Sequence, residues 1–211
     1  MTKKDTPMLL YNAPDPAPNP RRVRLGLAEK GIDLPMQDLS IPQREQKAPE
    51  FMAKNPLGQV PALELDDGTV ISESVSICRY LEALHPEPPL FGTGPEQSAL
   101  VDMWIRRVEN VLMTPVGMVW VHTHQFTQSL PNRFPDYGES NRERVDAAFH
   151  WFDRRLGEAQ FVAGDDFSMA DIVLLTTVDF ADWIGLPMPG DVDHLRYWHE
   201  RVSARPSVTG D

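Results

Sequence analysis

The sequence predicts an α/β domain built on a mixed sheet, followed by an all-helical domain. Three observations carry that expectation. Up to His85, short apolar runs alternate with stretches of helical periodicity. Pro86, Pro88, Pro89 and Pro95 then stand with Gly92 and Gly94 in a stretch that reads as a linker. Beyond it, apolar residues recur at spacings of three and four. The expected division is residues 7–85, a linker at 86–95, and a helical domain at 96–206.

Each element has its own signal. Met8-Leu9-Leu10-Tyr11 is a short apolar run of the kind a buried strand shows. Asn19-Pro20 predicts a helix start, because asparagine caps well and proline is pre-shaped for the first helical position. That helix runs through Glu29, with Gly31 just past its end. Pro35 to Leu39 predicts a second strand, and Lys47 to Lys54 a short helix after Pro49. Ala62 to Leu65 and Val70-Ile71 flank Asp66-Asp67-Gly68-Thr69, a hairpin signal. From Ser74, the residues Val75, Ile77, Cys78, Leu81 and Leu84 predict a helix. The order β-α-β, then β-β-α, gives the mixed sheet. In the second domain a long helix is expected from Glu96 to about Gln128, bent or restarted at Pro115. Further helices are expected over 141–156, from Ser168, and from His194 to about Ala204.

Composition excludes several classes of function. The 211 residues carry 20 basic and 31 acidic side chains, a net charge of −11. A general binder of nucleic-acid backbones needs a basic footprint, so no nucleic-acid partner is expected. One cysteine rules out an internal disulfide framework and a cysteine-based zinc site. His122 and His124 point to different helix faces, and His194 and His199 are five apart, so no metal is expected. The apolar run after the charged N-terminus is too short for a signal peptide, and no stretch is long enough to span a bilayer. The expectation is a cytoplasmic protein with no membrane partner.

Two short segments carry chemistry. In Gly58-Gln59-Val60-Pro61-Ala62, a cis Val60–Pro61 bond would present the Val60 backbone to an extended peptide as an added strand. In trans, the same proline only caps a sheet edge. At Glu73-Ser74 the hairpin passes into a helix. Ser74 reads as an N-cap whose donors suit a carboxylate, and Glu73 suits an ammonium, which together fit the head of an α-amino acid. Alone, the pair is a plain helix cap.

Asn55-Pro56-Leu57-Gly58-Gln59-Val60-Pro61-Ala62-Leu63, followed by Glu73-Ser74, resembles the N-terminal domain of cytosolic glutathione transferases. Phe167-Ser168-Met169-Ala170-Asp171-Ile172 matches that family's second landmark, a capping box in which Ser168 and Asp171 cap each other's backbone. The resemblance covers both domains in order. It implies a thioredoxin-like first domain, an all-α second domain, a homodimer, and glutathione as co-substrate. It implies that Glu73 and Ser74 hold the γ-glutamyl head and that Val60 pairs with the cysteinyl unit beside a cis Pro61. Gln59 assists, Gln46 or Lys47 takes the glycyl carboxylate, and Asp102 reaches the γ-glutamyl amine held by the partner subunit. A small hydrophobic electrophile or a disulfide is expected between the domains, against Met113, Val116 and Trp120.

Members of the family lower the glutathione thiol's pKa with a tyrosine of the first strand or a serine at the first helix, or place a cysteine there. Here Asn12 stands in the tyrosine's place, Tyr11 is expected in the core, and the turn from Pro14 to Pro20 holds neither serine nor cysteine. Asn19 is the expected catalytic residue. Its amide donates to a sulfur anion, with the helix dipole, Arg21 and Arg22 adding positive potential. This is similar to a bacterial subgroup, including the Nu class, with asparagine at that place. Cys78 lies on an apolar helix face and reads as an inert buried thiol. The implied activity is attack of the glutathione thiolate on an electrophile, a disulfide or a peroxide. A non-catalytic glutathione- or ligand-binding regulator is the alternative.

Overall fold

A computed structural model describes residues 8–210. The charged segment before Met8 lies outside the described residues, as does Pro7 at the expected start of the first domain. The chain divides into two compact units, Met1–Pro89 and Leu90–Asp211.

The first unit runs β1 (Leu9–Asn12), α1 (Pro18–Lys30), β2 (Met36–Asp38), a 3-10 turn (Glu45–Lys47), α2 (Pro49–Met52), β3 (Ala62–Glu64), β4 (Val70–Ser72) and α3 (Ser74–Leu84). The sheet order is β2-β1-β3-β4. β1 is parallel to β2, with Leu10 opposite Met36. It is antiparallel to β3, with Leu10 opposite Leu63, and β3 is antiparallel to β4. Parallel pairing requires a crossover, which α1 supplies. The β3–β4 hairpin closes with Leu65 N–H on the Thr69 carbonyl at 2.8 Å, and Gly68 takes the positive φ of 85° that the turn needs. Leu10, Leu63, Val23 and Ile77 are wholly buried between the sheet and the packed pair α1 and α3. Each such side chain contributes ~1.5–3 kcal/mol of burial.

Two helix starts differ from expectation. α1 begins at Pro18, so Ala17 is the cap and Asn19 sits inside the first turn. Pro18 forces Ala17 into extended backbone, and Pro20 fits one step further in because the first-turn N–H groups lack helical acceptors anyway. At α3 the cap is Glu73, and Ser74 is the first helical residue. At the other end of α1, Gly31 closes the helix in the left-handed region. There Lys30, its side chain almost wholly buried, reaches Glu82 at 2.5 Å and the carbonyls of His85 and Pro88 at 2.8 Å.

The second unit contains α4 (Gly94–Arg107), a π-helical stretch (Val108–Met113), α5 (Thr114–Thr123), a 3-10 turn (Gln125–Thr127), α6 (Pro135–Ser140), α7 (Arg142–Glu158), α8 (Met169–Trp183), α9 (Asp193–Ser203) and α10 (Pro206–Thr209). Pro115 does not end the long helix. The turn before it widens, with Thr114 N–H bonding the Glu109 carbonyl five residues back, and the helix resumes. α8 begins with the expected reciprocal capping box. Asp171 is wholly buried and accepts from the Ser168 N–H (3.0 Å), the Val162 N–H (3.0 Å) and Trp198 Nε1 (2.9 Å). Among the described residues, no helix is long and apolar enough to cross a membrane.

Candidate active site

In the first unit, six of the expected residues meet in one pocket. Asn19 from α1, Gln59, Val60 and Pro61 from the loop entering β3, and Glu73 and Ser74 at the start of α3 all line it. The Val60–Pro61 peptide is cis. Val60 precedes β3, and its backbone makes no hydrogen bond among the described residues. The side chains of Asn19, Glu73 and Ser74 likewise bond no other described residue. Polar groups that face a pocket without protein partners are available to a polar ligand.

Backbone geometry marks the same place. Glu73 has φ 68° and ψ 118°, a region that a non-glycine residue adopts at a cost of ~1–3 kcal/mol. The strain sets its carboxylate at the pocket mouth while Ser74, only 5% exposed, presents the α3 N-terminus. Two helix N-termini, those of α1 and α3, therefore converge, and each favours negative charge.

Of the two arginines expected near Asn19, Arg21 Nε lies 3.9 Å from Asp15, and Arg22 is buried. Asn12 is also buried, with its amide engaged inside the protein. Tyr11 joins the core with Leu39, Phe51 and Ala62. Its hydroxyl donates to Glu64 Oε2 at 2.7 Å, and Lys54 bonds both Glu64 oxygens at 2.7 and 2.8 Å. Burial first, and then the Glu64 bond, raise the Tyr11 pKa, so this tyrosine is a structural group.

Gln46 and Lys47 lie on the neighbouring loop and do not line this pocket. Gln46 Oε1 is buried without a partner among the described residues, and Lys47 Nζ donates to the Leu57 carbonyl at 2.8 Å. Gly58 lets the two loops close: a Cβ there would stand 2.5 Å from Met52 Sδ and 2.8 Å from the Gln46 carbonyl oxygen. Asp102, in the second unit, has Arg106 Nε at 3.8 Å. Met113 and Trp120 are half-buried, whereas Val116 is wholly buried in the helical core and offers no binding surface.

Asn55 and Ser72 line the pocket and were not singled out from the sequence. Asn55 is buried, and its Nδ2 donates to the Gln59 carbonyl at 2.8 Å, which shapes the loop before Val60. Its place at the head of the Asn55–Leu63 motif was the available signal. In the second unit Trp120 belongs to an aromatic cluster with His124, Phe126, Phe180 and Trp183, at ring separations of 4.5–6.4 Å. Phe126 is 64% exposed, and burial lowers the His124 pKa. Cys78 is buried against the Arg22 carbonyl, and burial pushes its thiol up to about 12. Among the described residues, no cluster of histidine, cysteine or carboxylate side chains is arranged to hold a metal.

The models of the glutathione S-transferase N-terminal and C-terminal domains match residues 17–84 and 118–206. Glutathione S-transferase 2 of Saccharomyces cerevisiae is 39% identical over 95% of this chain and 88% of its own length. Glutathione S-transferase 1 of Zea mays is 30% identical over 96% of this chain and 94% of its own length. The crystal structure of Gtt2 from Saccharomyces cerevisiae superposes with a TM-score of 0.91 at 36% identity, covering 96% of this chain and 99% of that one. A glutathione S-transferase domain-containing protein of Marinobacter aquaeolei VT8 gives the same TM-score and identity, over 95% and 99%. The chain belongs to the glutathione S-transferase family.

Proposed function

We infer that this chain is a glutathione transferase whose thiol-activating residue is Asn19. The observation that carries the reading is the convergence of Asn19, Val60, Glu73 and Ser74 on one pocket of the first unit. Glutathione binds there extended. Its α-carboxylate takes the Ser74 hydroxyl and the α3 N-terminus, its ammonium takes Glu73, and its cysteinyl amide pairs with the Val60 backbone. Gln59 supports this strand. Gln46, through its Nε2, and Lys47 receive the glycyl carboxylate. The Asn19 amide donates to the sulfur, and the α1 N-terminus favours the thiolate over the thiol.

The thiol proton leaves to solvent, the sulfur lone pair forms the new bond to an electrophilic carbon, and the leaving group departs with its electron pair. With a disulfide as electrophile, a sulfur–sulfur bond forms and the other thiolate departs. Cys78 takes no part, since its thiol is buried and protonated. Met113 and Trp120 offer apolar surface to a hydrophobic second substrate. The assembly is a two-fold dimer in which Asp102 approaches the γ-glutamyl ammonium of the partner's glutathione.

Calorimetry with reduced and oxidised glutathione tests the site. Glu73→Ala should weaken binding about tenfold, which is ~1.4 kcal/mol. Asn19→Ala should raise the pKa of the bound thiol, read from thiolate absorbance. No binding of either form overturns the enzyme reading. An unchanged thiol pKa in Asn19→Ala removes that residue from the mechanism, and tighter binding of the oxidised form assigns disulfide chemistry.

A further inference from the structure

Arg24 reaches across the turn that carries Asn19 into the pocket, and Arg21 Nε stands 3.9 Å from the same Asp15. Arg24, in the second turn of α1, donates from Nη1 to the Asn12 side-chain oxygen at 2.9 Å and to the Ala13 carbonyl at 2.7 Å. Its Nη2 donates to the Asp15 carboxylate. Asn12 passes the connection on, since its Nδ2 donates to Asp38 at 2.6 Å, at the end of β2. One side chain therefore ties together the ends of β1 and β2 and the first and third residues of the β1–α1 turn. Asn12 is 4% exposed and both ends of its amide are occupied, so it acts inside the protein and not on a ligand.

We propose that Arg24 is a positioning residue, which fixes the β1–α1 turn and thereby sets Asn19 against the glutathione sulfur. The inference rests on the role of Asn19 given under Proposed function. The fork suits the task, since Nη1 meets two of the acceptors and Nη2 the third. Removal of the fork leaves the buried Asn12 oxygen and the Ala13 carbonyl without their donor. The turn is short of backbone donors. Its prolines at 14, 16 and 18 lack N–H groups, and the bond from Ala17 N–H to the Pro14 carbonyl is long, at 3.3 Å.

Arg24→Ala and Arg24→Lys decide the matter in the full chain, with Asn19→Ala in parallel. Two readouts are taken: amide hydrogen exchange by NMR, and the pKa of bound glutathione's thiol. In Arg24→Ala, exchange at Ala17 and at Arg21, whose N–H bonds the Ala17 carbonyl, should quicken at least tenfold while the amides of β1 and β3 keep their protection. The bound thiol's pKa should rise toward its value in Asn19→Ala. Arg24→Lys should recover part of both effects, and it carries the test if the alanine variant fails to fold. Unchanged exchange at Ala17 overturns the proposal. So does an unchanged thiol pKa in the Arg24 variants when Asn19→Ala raises it. If Asn19→Ala itself leaves the thiol unchanged, the functional reading fails separately, and the link from Arg24 to the sulfur falls with it.

Discussion

At Cys78 the sequence and the structure agree for the same physical reason. An apolar helical face predicts burial, and burial disfavours the thiolate, with the pKa pushed up to about 12. In the folded protein at pH 8 Cys78 should therefore resist a disulfide reagent over minutes, and one thiol per chain should react after denaturation. Cys78→Ala should keep glutathione-dependent activity, and rapid labelling of the native thiol with loss of activity would refute its inertness. Asn55 and Val116 show where residue-level reading stops. The motif names Asn55, yet its bond to the Gln59 carbonyl exists only once the loop between them has closed. Val116 shares an apolar stretch with Met113 and Trp120, but hydrophobicity alone does not tell a core position from a binding surface. The structure puts Val116 wholly inside.

Among the elements, α8 was legible at its start and hidden beyond it. Ser168 and Asp171 are three apart, so the capping box could be read from four residues. The other donors to Asp171 come from Val162 and Trp198, which no local pattern connects to it. Asp171→Ala would leave these buried donors unpaired, at a cost of at least ~3 kcal/mol. For a chain of this size that should lower the melting temperature by roughly 6–12 °C. A shift no larger than that of a surface substitution would contradict the role assigned to this carboxylate. The start of α1 was misread by two residues because Pro18 and Pro20 are both acceptable in a first turn, and the chain takes the earlier one. The long helix was expected from Glu96 to about Gln128, bent or restarted at Pro115, and it runs instead through a π-helical stretch before Pro115 and ends at Thr123. A π-helical detour satisfies the same constraint as a kink, and periodicity does not distinguish them.

For the whole molecule, the order of elements carried the two-part architecture and the mixed sheet, because strand and helix periods differ sharply. The aromatic cluster around Trp120 was not legible, since its rings come from positions as far apart as 120 and 183. Stability against pH is a property of the entire chain in which one group of side chains should be visible. The Lys54 bond, with that of Tyr11, holds the Glu64 carboxyl below the ordinary carboxylate range, and the same Glu64 bond raises Lys54. A lowered acid contributes stability above its unfolded pKa and loses it as the pH falls through the folded value. A raised lysine contributes below its unfolded pKa and loses it as the pH rises through the folded value. The pair should therefore support the fold between mildly acidic and mildly alkaline pH, by up to ~1 kcal/mol given its partial exposure. Urea midpoints of Glu64→Gln should fall below those of the parent chain at neutral pH and converge with them once the pH has fallen through the lowered Glu64 value. Equal midpoints at neutral pH would remove the pair from the stability of the fold. Lys30 has a different use. With its ammonium enclosed by Glu82 and the carbonyls of His85 and Pro88, it is screened from acylating reagents for as long as α1 and the chain leaving α3 stay together. Its acetylation, followed by mass spectrometry, is thus a built-in clock for the opening of the N-terminal unit, one that needs neither a dye nor an engineered label.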